Sequence, residues 1–202
     1  MPTIGLSMLH YATRTPTYGT GNNADVITGV TFGTPTRIAD AISANITPNY
    51  VTAELYGDDI QTDDLSAFTN ATIELNVRDI PPAALVTLFG LRRGSKGEVV
   101  YSGEDVSAEV AIGFRALKSP GTHYRYVWLR RVKFTLGADQ YNTKGDSIQF
   151  NTPTITGKAM PELFADAGGK HQWKFSLDDD DSTTGASTQI AGWFTAVPTV
   201  TF

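Results

Sequence analysis

His123-Tyr124-Arg125-Tyr126-Val127-Trp128-Leu129-Arg130-Arg131-Val132-Lys133-Phe134-Thr135-Leu136 decides the fold. Tyr124, Tyr126, Trp128, Val132, Phe134 and Leu136 keep one parity, and alternation of period two marks a strand with one buried face. Arg130 interrupts the row. An arginine at that position reads as a bulge, or as the strand leaving the core, before it reads as a functional group.

The same alternation recurs on either side. Ile73, Leu75 and Val77 oppose Thr72, Glu74, Asn76 and Arg78 within Ala71–Arg78, and Val110, Ile112, Phe114 and Ala116 form a second apolar face. Ser147–Thr156 and Gln172–Leu177 also qualify, the latter carrying Trp173, Phe175 and Leu177. Ala41–Ile46 and Val51–Tyr56 are weaker and are separated by Thr47-Pro48-Asn49. Pro48 has no N–H for a central ladder, so this pair belongs at an edge or a turn.

Helical signals are short. Asp79 precedes Pro81-Pro82, then Leu85, Leu88 and Phe89 share one stripe before Gly90, which is the expected grammar of a single short helix. A second candidate starts at Ser187, carries Ile190, Trp193, Phe194 and Val197, and stops at Pro198. Long polar connections remain at Arg14–Thr36, with room for a hairpin around Gly29, at Tyr56–Phe68 and at Asp178–Ser187. Structureless loops beyond about 12–15 residues are uncommon unless they act, and an arm ordered on contact can lock neighbours together. The fold class is therefore mainly β, with many strands, one or two short helices and long loops. The segments 1–36, 41–68 and 178–202 are candidate assembly elements.

Composition narrows the function. The chain has 202 residues, 41% of them hydrophobic, with Trp128, Trp173 and Trp193 available for a core. At this size roughly 70% of the unfolded surface can be buried without staples. There is no cysteine, which excludes disulfides, thiolate metal sites and cysteine nucleophiles. Met1-Pro2-Thr3-Ile4-Gly5-Leu6 lacks a basic segment followed by an apolar stretch, so no secretory leader is expected. The longest apolar run, Ala83–Phe89, falls short of the ~20 residues of a membrane span, and the expectation is a soluble product. Net charge is −5, with 21 acidic and 16 basic residues. Basic pairs occur only at Arg92-Arg93 and Arg130-Arg131, too few to grip phosphates tightly.

A search for chemistry finds nothing that assembles into a site. His10, His123 and His171 lack ligand-spaced partners and read as strand-face or loop histidines. Gly90–Lys96 superficially suggests a phosphate loop but follows a helix and has the wrong spacing. The run Asp178-Asp179-Asp180-Asp181 lacks the later glycine and glutamate of a calcium loop and reads as a solvated turn. Asp58-Asp59 and Asp63-Asp64 are a weak candidate for a glycosidase carboxylate pair. No catalytic, cofactor-binding or metal residue is assigned, and no cofactor is expected.

The stretch Tyr124–Leu129 and the block Thr143-Lys144-Gly145-Asp146-Ser147-Ile148-Gln149-Phe150-Asn151-Thr152-Pro153-Thr154-Ile155-Thr156-Gly157 resemble the major tail proteins of long-tailed bacteriophages, specifically the phi-thirteen-type family. Further points of likeness are Ile4-Gly5-Leu6 with Tyr11, Ala41–Asn45, Leu55-Tyr56-Gly57-Asp58-Asp59, Gly113-Phe114-Arg115 and Trp193-Phe194. Tyr18–Phe32 is longer than in that family, and Asp178–Thr184 is more acidic. The resemblance implies an antiparallel β-sandwich or rolled barrel of the tail-tube type with one flanking short helix, in a virion structural protein made in the host bacterial cytoplasm. It also implies six copies to a ring, with rings stacked around a tape-measure protein to form the conduit of a non-contractile tail. Its partners would be itself, the tape-measure protein, the tail terminator and distal tail or baseplate proteins. DNA would pass without specific binding, and no membrane would be involved.

A ring of identical chains uses heterologous contacts, and a sheet edge already carries unpaired N–H and C=O groups that suit one. The candidate cross-subunit arm is the Ala41–Tyr56 hairpin with the Tyr56–Phe68 loop, and its contact residues are Leu55, Tyr56, Gly57, Asp58, Asp59, Asp63 and Asp64. An ordinary mobile surface loop is the competing reading. Glu54, Asp58 and Asp59 are candidate lumen acids, since an acidic wall repels DNA and keeps a conduit slippery. Two other roles stay open: the inner tube of a contractile injection machine, and a carbohydrate-binding β-sandwich adhesin. The adhesin needs Tyr124, Tyr126 and Trp128 to form an exposed platform.

Overall fold

Antiparallel pairing of alternating segments organises the chain, whose computed structural model describes residues 2–57, 60–138 and 152–199. In chain order the strands are β1 (Thr3–Tyr18), β2 (Ile27–Phe32), β3 (Thr36–Arg37), β4 (Ala41–Gly57) and β5 (Ile60–Val77). There follow helix α1 (Pro82–Phe89), the short strands β6 (Arg92–Arg93) and β7 (Val99–Val100), then β8 (Glu109–Lys118) and β9 (Tyr124–Thr135). The chain continues with β10 (Thr154–Ala159), β11 (Lys174–Asp178) and helix α2 (Ala186–Ala191). Among the described residues nine strands join one curled sheet in the order β2-β1-β8-β9-β10-β5-β4. In it β3 pairs with β1, and β11 pairs with β9.

The predicted face of β5 holds: Ala71, Ile73, Leu75 and Val77 are fully buried while Glu74 and Arg78 are exposed. They meet Val110, Ile112 and Phe114 of β8, and Leu9 and Tyr11 of β1, in the main core. Helix α1 closes that core with Ala84, Leu88 and Phe89. Its residue before the first turn is Pro81, in place of the expected polar cap; Asp79 instead accepts a hydrogen bond from the Ile80 amide at 2.8 Å. Gly90 ends the helix at φ 69°, where an added Cβ would fall 2.1 Å from the Val106 carbonyl oxygen. Only glycine fits both demands.

The deciding stretch departs from its simple reading. Val110 pairs with Val132 but Ile112 pairs with Leu129, so β9 holds one more residue than β8 across that step. This is a bulge at Arg130-Arg131, and a one-residue slip sends every later side chain to the opposite face. Val127 and Leu129 before the bulge, and Val132 and Phe134 after it, therefore face the main core. Tyr126 and Trp128 face the other way, into a second cluster with Ala12, Ala111, Phe175, Trp193 and Val197. Strand β9 is thus buried on both faces. Gly113 makes room for this arrangement, since a Cβ there would sit 2.4 Å from the Trp128 ring.

The second cluster is covered by α2 and the residues after it. Trp128 Nε1 donates to the Trp193 carbonyl at 2.9 Å, and His10 stacks on Phe194 with ring centroids 4.7 Å apart. Helix α1 is the expected flanking helix, and α2 forms at the second candidate, near Ser187, on the opposite face of the sheet. Several predicted loops are strand. β1 runs on to Tyr18 and pairs with β2, so Gly29 lies inside β2 opposite Thr17, with the turn between Tyr18 and Ile27. Ala41–Tyr56 is one strand, not a hairpin, and Tyr56–Phe68 is mostly the start of β5, not a loop. The predicted strand Ser147–Thr156 appears only from Thr154 onward, and its residues before 152 lie outside the described residues.

Candidate assembly surface

Both ends of the sheet are two-stranded arms. At one end β2 is the outer strand of the β1–β2 hairpin, which exposes Tyr18 and Val26 near its turn. At the other end β4 is the outer strand of the β4–β5 hairpin, paired from Ala41↔Val77 out to Gly57↔Ile60. Edge position accounts for Pro48, which stands in the middle of β4 without costing a central hydrogen bond.

The inner half of this second hairpin belongs to the body and the outer half does not. Asn49 Nδ2 donates to Asn70 Oδ1 at 2.9 Å and to Thr72 Oγ1 at 3.1 Å, and a bulge follows at Asn49/Tyr50. Phe68 stacks on Trp173 at 4.7 Å and meets Tyr50 edge-on at 5.8 Å, bracing the arm where it leaves the sheet. Beyond this brace Val51 is 62% exposed and Leu65 68%. By strand register these two share one face with Ala53 and Ala67, also exposed. A bare apolar β face on such an arm makes it the candidate interaction surface.

Of the predicted contact residues, Leu55, Tyr56, Gly57, Asp63 and Asp64 lie in the ladder at the outer end of this hairpin, and Asp58 and Asp59 lie outside the described residues. Glu54, the predicted lumen acid opposite Asp64 in register, is exposed. Residues 41–77 contain Glu54, Asp58, Asp59, Asp63, Asp64 and Glu74 and no Lys or Arg. The remaining chain carries 15 acidic against 16 basic residues, so the whole negative excess resides on one arm.

Elsewhere several charges are bound internally. Arg37 and Arg78 share Asp40, and Arg131 binds Glu109 at 2.7 Å. Arg14 binds Glu109 at 2.8 Å and also Glu162, which Arg130 reaches at 3.3 Å. Glu162 and both arginines are buried, and the Arg130 guanidinium lies over the Phe32 and Phe175 rings at 5.1 and 4.8 Å. Burial pushes the Arg130 pKa down against the pull of Glu162. Glu109 is also pushed up by burial, yet hydrogen bonding and charge from Arg131, with Arg14 and Lys133, hold it below the usual carboxylate range. Arg130 marks a bulge, as expected, but its side chain is a buried ionic anchor that the sequence pattern did not reveal.

The acidic run is not a solvated turn. Asp178 takes two hydrogen bonds from Arg125 at 2.7 and 2.9 Å, and Lys118 bridges Asp178 and Asp180 at 3.0 and 2.6 Å. Asp179 meets His123 Nδ1 at 2.9 Å. The Arg125 hydrogen bonds, aided by Lys118, bring Asp178 down to about 2 despite partial burial. Segment 178–199 thus ties down the chain's own sheet. The other two histidines donate to backbone carbonyls, His10 to Met8 and His171 to Glu162, each at 2.7 Å if Nδ1 carries the proton.

Among the described residues no group of three His, Asp or Glu side chains could hold a metal ion, and no helix is long and apolar enough to cross a membrane. Tyr126 is 8% exposed and Trp128 fully buried, so the platform required of a carbohydrate-binding adhesin is not presented. No family model and no curated protein matches the chain.

Proposed function

We propose that this chain is a structural subunit that polymerises through the arms at its sheet edges into a hollow tube, and specifically that it is the tail-tube protein of a long non-contractile phage tail. The observation that carries the reading is the β4–β5 hairpin, a long edge arm with an exposed apolar face and no counterpart in its own chain. A sheet whose two ends differ, β2 at one and β4 at the other, suits head-to-tail joining, in which the arm of one copy meets a different surface of the next. Rotation that closes on itself gives a ring, and stacked rings give a conduit. The sequence resemblance supplies the number six and the tape-measure filling.

A conduit for DNA must not hold it. Seven of the cationic side chains, Arg14, Arg37, Arg78, Lys118, Arg125, Arg130 and Arg131, are paired with carboxylates inside the subunit. That pairing takes seven of the 16 basic residues out of reach of phosphates. Glu54, with Asp58 and Asp59, remains the candidate for an acidic lumen wall. The inner tube of a contractile injection machine would use the same surfaces, and a sheath gene beside this one would favour it.

Deleting Gly57–Asp64 tests the reading. The variant should remain a folded monomer, because the main core lies beyond the brace at Phe68 and Trp173, and it should fail to form tubes. Normal tubes from the deletion variant would remove the arm from the assembly.

A further inference from the structure

The arm needs a receptor, and the subunit carries a cleft suited to it. A cleft of about 530 Å³ opens between the end of α1, the loop 101–107 and the ends of β9 and β10. Its rim exposes three large apolar residues together, Tyr101 at 51%, Val106 at 70% and Leu136 at 50%. Lys133 and Lys158 line the same cleft and stand directly opposite each other in the β9–β10 ladder. Like charges in register repel, and although Lys133 also faces Glu109 across the β8–β9 register, that carboxylate is already bound by Arg14 and Arg131. The one acid in the lining, Asp105, already accepts a hydrogen bond from the Ser102 amide at 2.6 Å.

We infer that this cleft is the docking site for the β4–β5 arm of a second copy of the chain. The proposal rests on the self-assembly reading above and adds the receptor and its recognition chemistry. Polarity matches on two counts. The arm offers an apolar face, Val51, Ala53, Leu65 and Ala67, to the apolar rim. It also offers an acidic segment with no basic residue to Lys133 and Lys158. The described part of the arm does not fill its own cleft, since no described residue of 41–77 lines it. Docking between copies would neutralise the Lys133–Lys158 repulsion and cover both apolar surfaces at once.

A charge swap tests this, with assembly followed by light scattering and sedimentation. Lys133→Glu with Lys158→Glu should raise the concentration for half-assembly at least tenfold, and so should Asp63→Lys with Asp64→Lys in the arm. Combining all four substitutions in one chain should restore assembly. Because the chain has no cysteine, separately purified Leu65→Cys and Val106→Cys chains can be mixed and oxidised. The expected product is a disulfide-linked heterodimer. If wild type assembles and the lysine swap leaves its half-assembly concentration unchanged, the cleft is not the receptor while the tube reading stands. Loss without rescue, or a lysine swap that lowers the melting temperature of the isolated monomer, assigns the lysines to another contact and overturns the docking. Wild type that never assembles overturns both readings.

Discussion

Replacing Glu162 by Gln isolates the buried ionic anchor behind the β9 bulge. The Glu162 side chain is 1% exposed and those of Arg14 and Arg130 are 1% and 5% exposed, so water cannot take over the lost partner. The replacement amide keeps one acceptor oxygen but no charge, so Arg14 would keep Glu109 while Arg130 would have no countercharge, only neutral acceptors such as the Pro198 carbonyl at 3.4 Å and the two rings above it. Arg14 Nε is already buried without a partner, so the site has no reserve acceptor among the described residues. Removing one member of a buried pair typically costs about 3–5 kcal/mol. For a domain of this length each kcal/mol shifts the midpoint by roughly 2–4 °C, so the midpoint should fall by about 10 °C or more. Urea unfolding followed by tryptophan fluorescence reads the change directly, because Trp128 and Trp193 lie in the adjoining cluster. Arg130→Met with Glu162→Met should recover at least half of the loss, since an apolar pair removes the stranded charge. A loss for Glu162→Gln below about 1 kcal/mol, the range of exposed pairs, would refute the reasoning.

Gly113→Ala places a methyl 2.4–2.6 Å from three Trp128 ring carbons and should cost about 1–3 kcal/mol or more by overpacking, measured by the same unfolding curves. Acid should act through Asp178. Its carboxyl is held down near 2, so its stabilisation is complete above the ordinary carboxylate range and is lost as pH falls from about 4 toward 2. Asp178→Asn should show a flatter pH dependence of the melting temperature in that window, and an unchanged slope would contradict the Arg125–Asp178 assignment. His10 is held below 6.5 by burial, against its bond to Met8, so the neutral ring is the stabilising form and stability should begin to fall as pH drops below 6.5. Substituting His10 by Asn should remove that loss while keeping a donor for the Met8 carbonyl.

The sequence made β5, β8 and α1 legible because each obeys a single local rule. Ile73, Leu75 and Val77 alternate against one core, and the Pro82–Gly90 segment has its proline start and glycine stop. Strand β9 obeys two rules in succession. A bulge at Arg130-Arg131 preserves the apparent parity of Trp128 and Val132 while placing them on opposite faces, and period two cannot register that swap. The arm was misread for the reverse reason. Tyr50–Glu54 and Leu65–Ala67 have no buried residue, so nothing forces alternation there and the segment looks like loop. Its edge position was nevertheless readable from Pro48. The role of Asp178–Asp180 depends on Lys118 and Arg125, more than fifty residues away, and local spacing carries no sign of them. Lys133 and Lys158 were hidden likewise, since only the β9–β10 register brings them opposite.

Imaging purified chain by negative-stain electron microscopy over a rising concentration series tests self-assembly most directly. The account predicts hollow cylinders built of evenly stacked rings, dissolving into monomer on dilution. Particles that remain single and compact at every concentration, and under every salt condition tried, would contradict it.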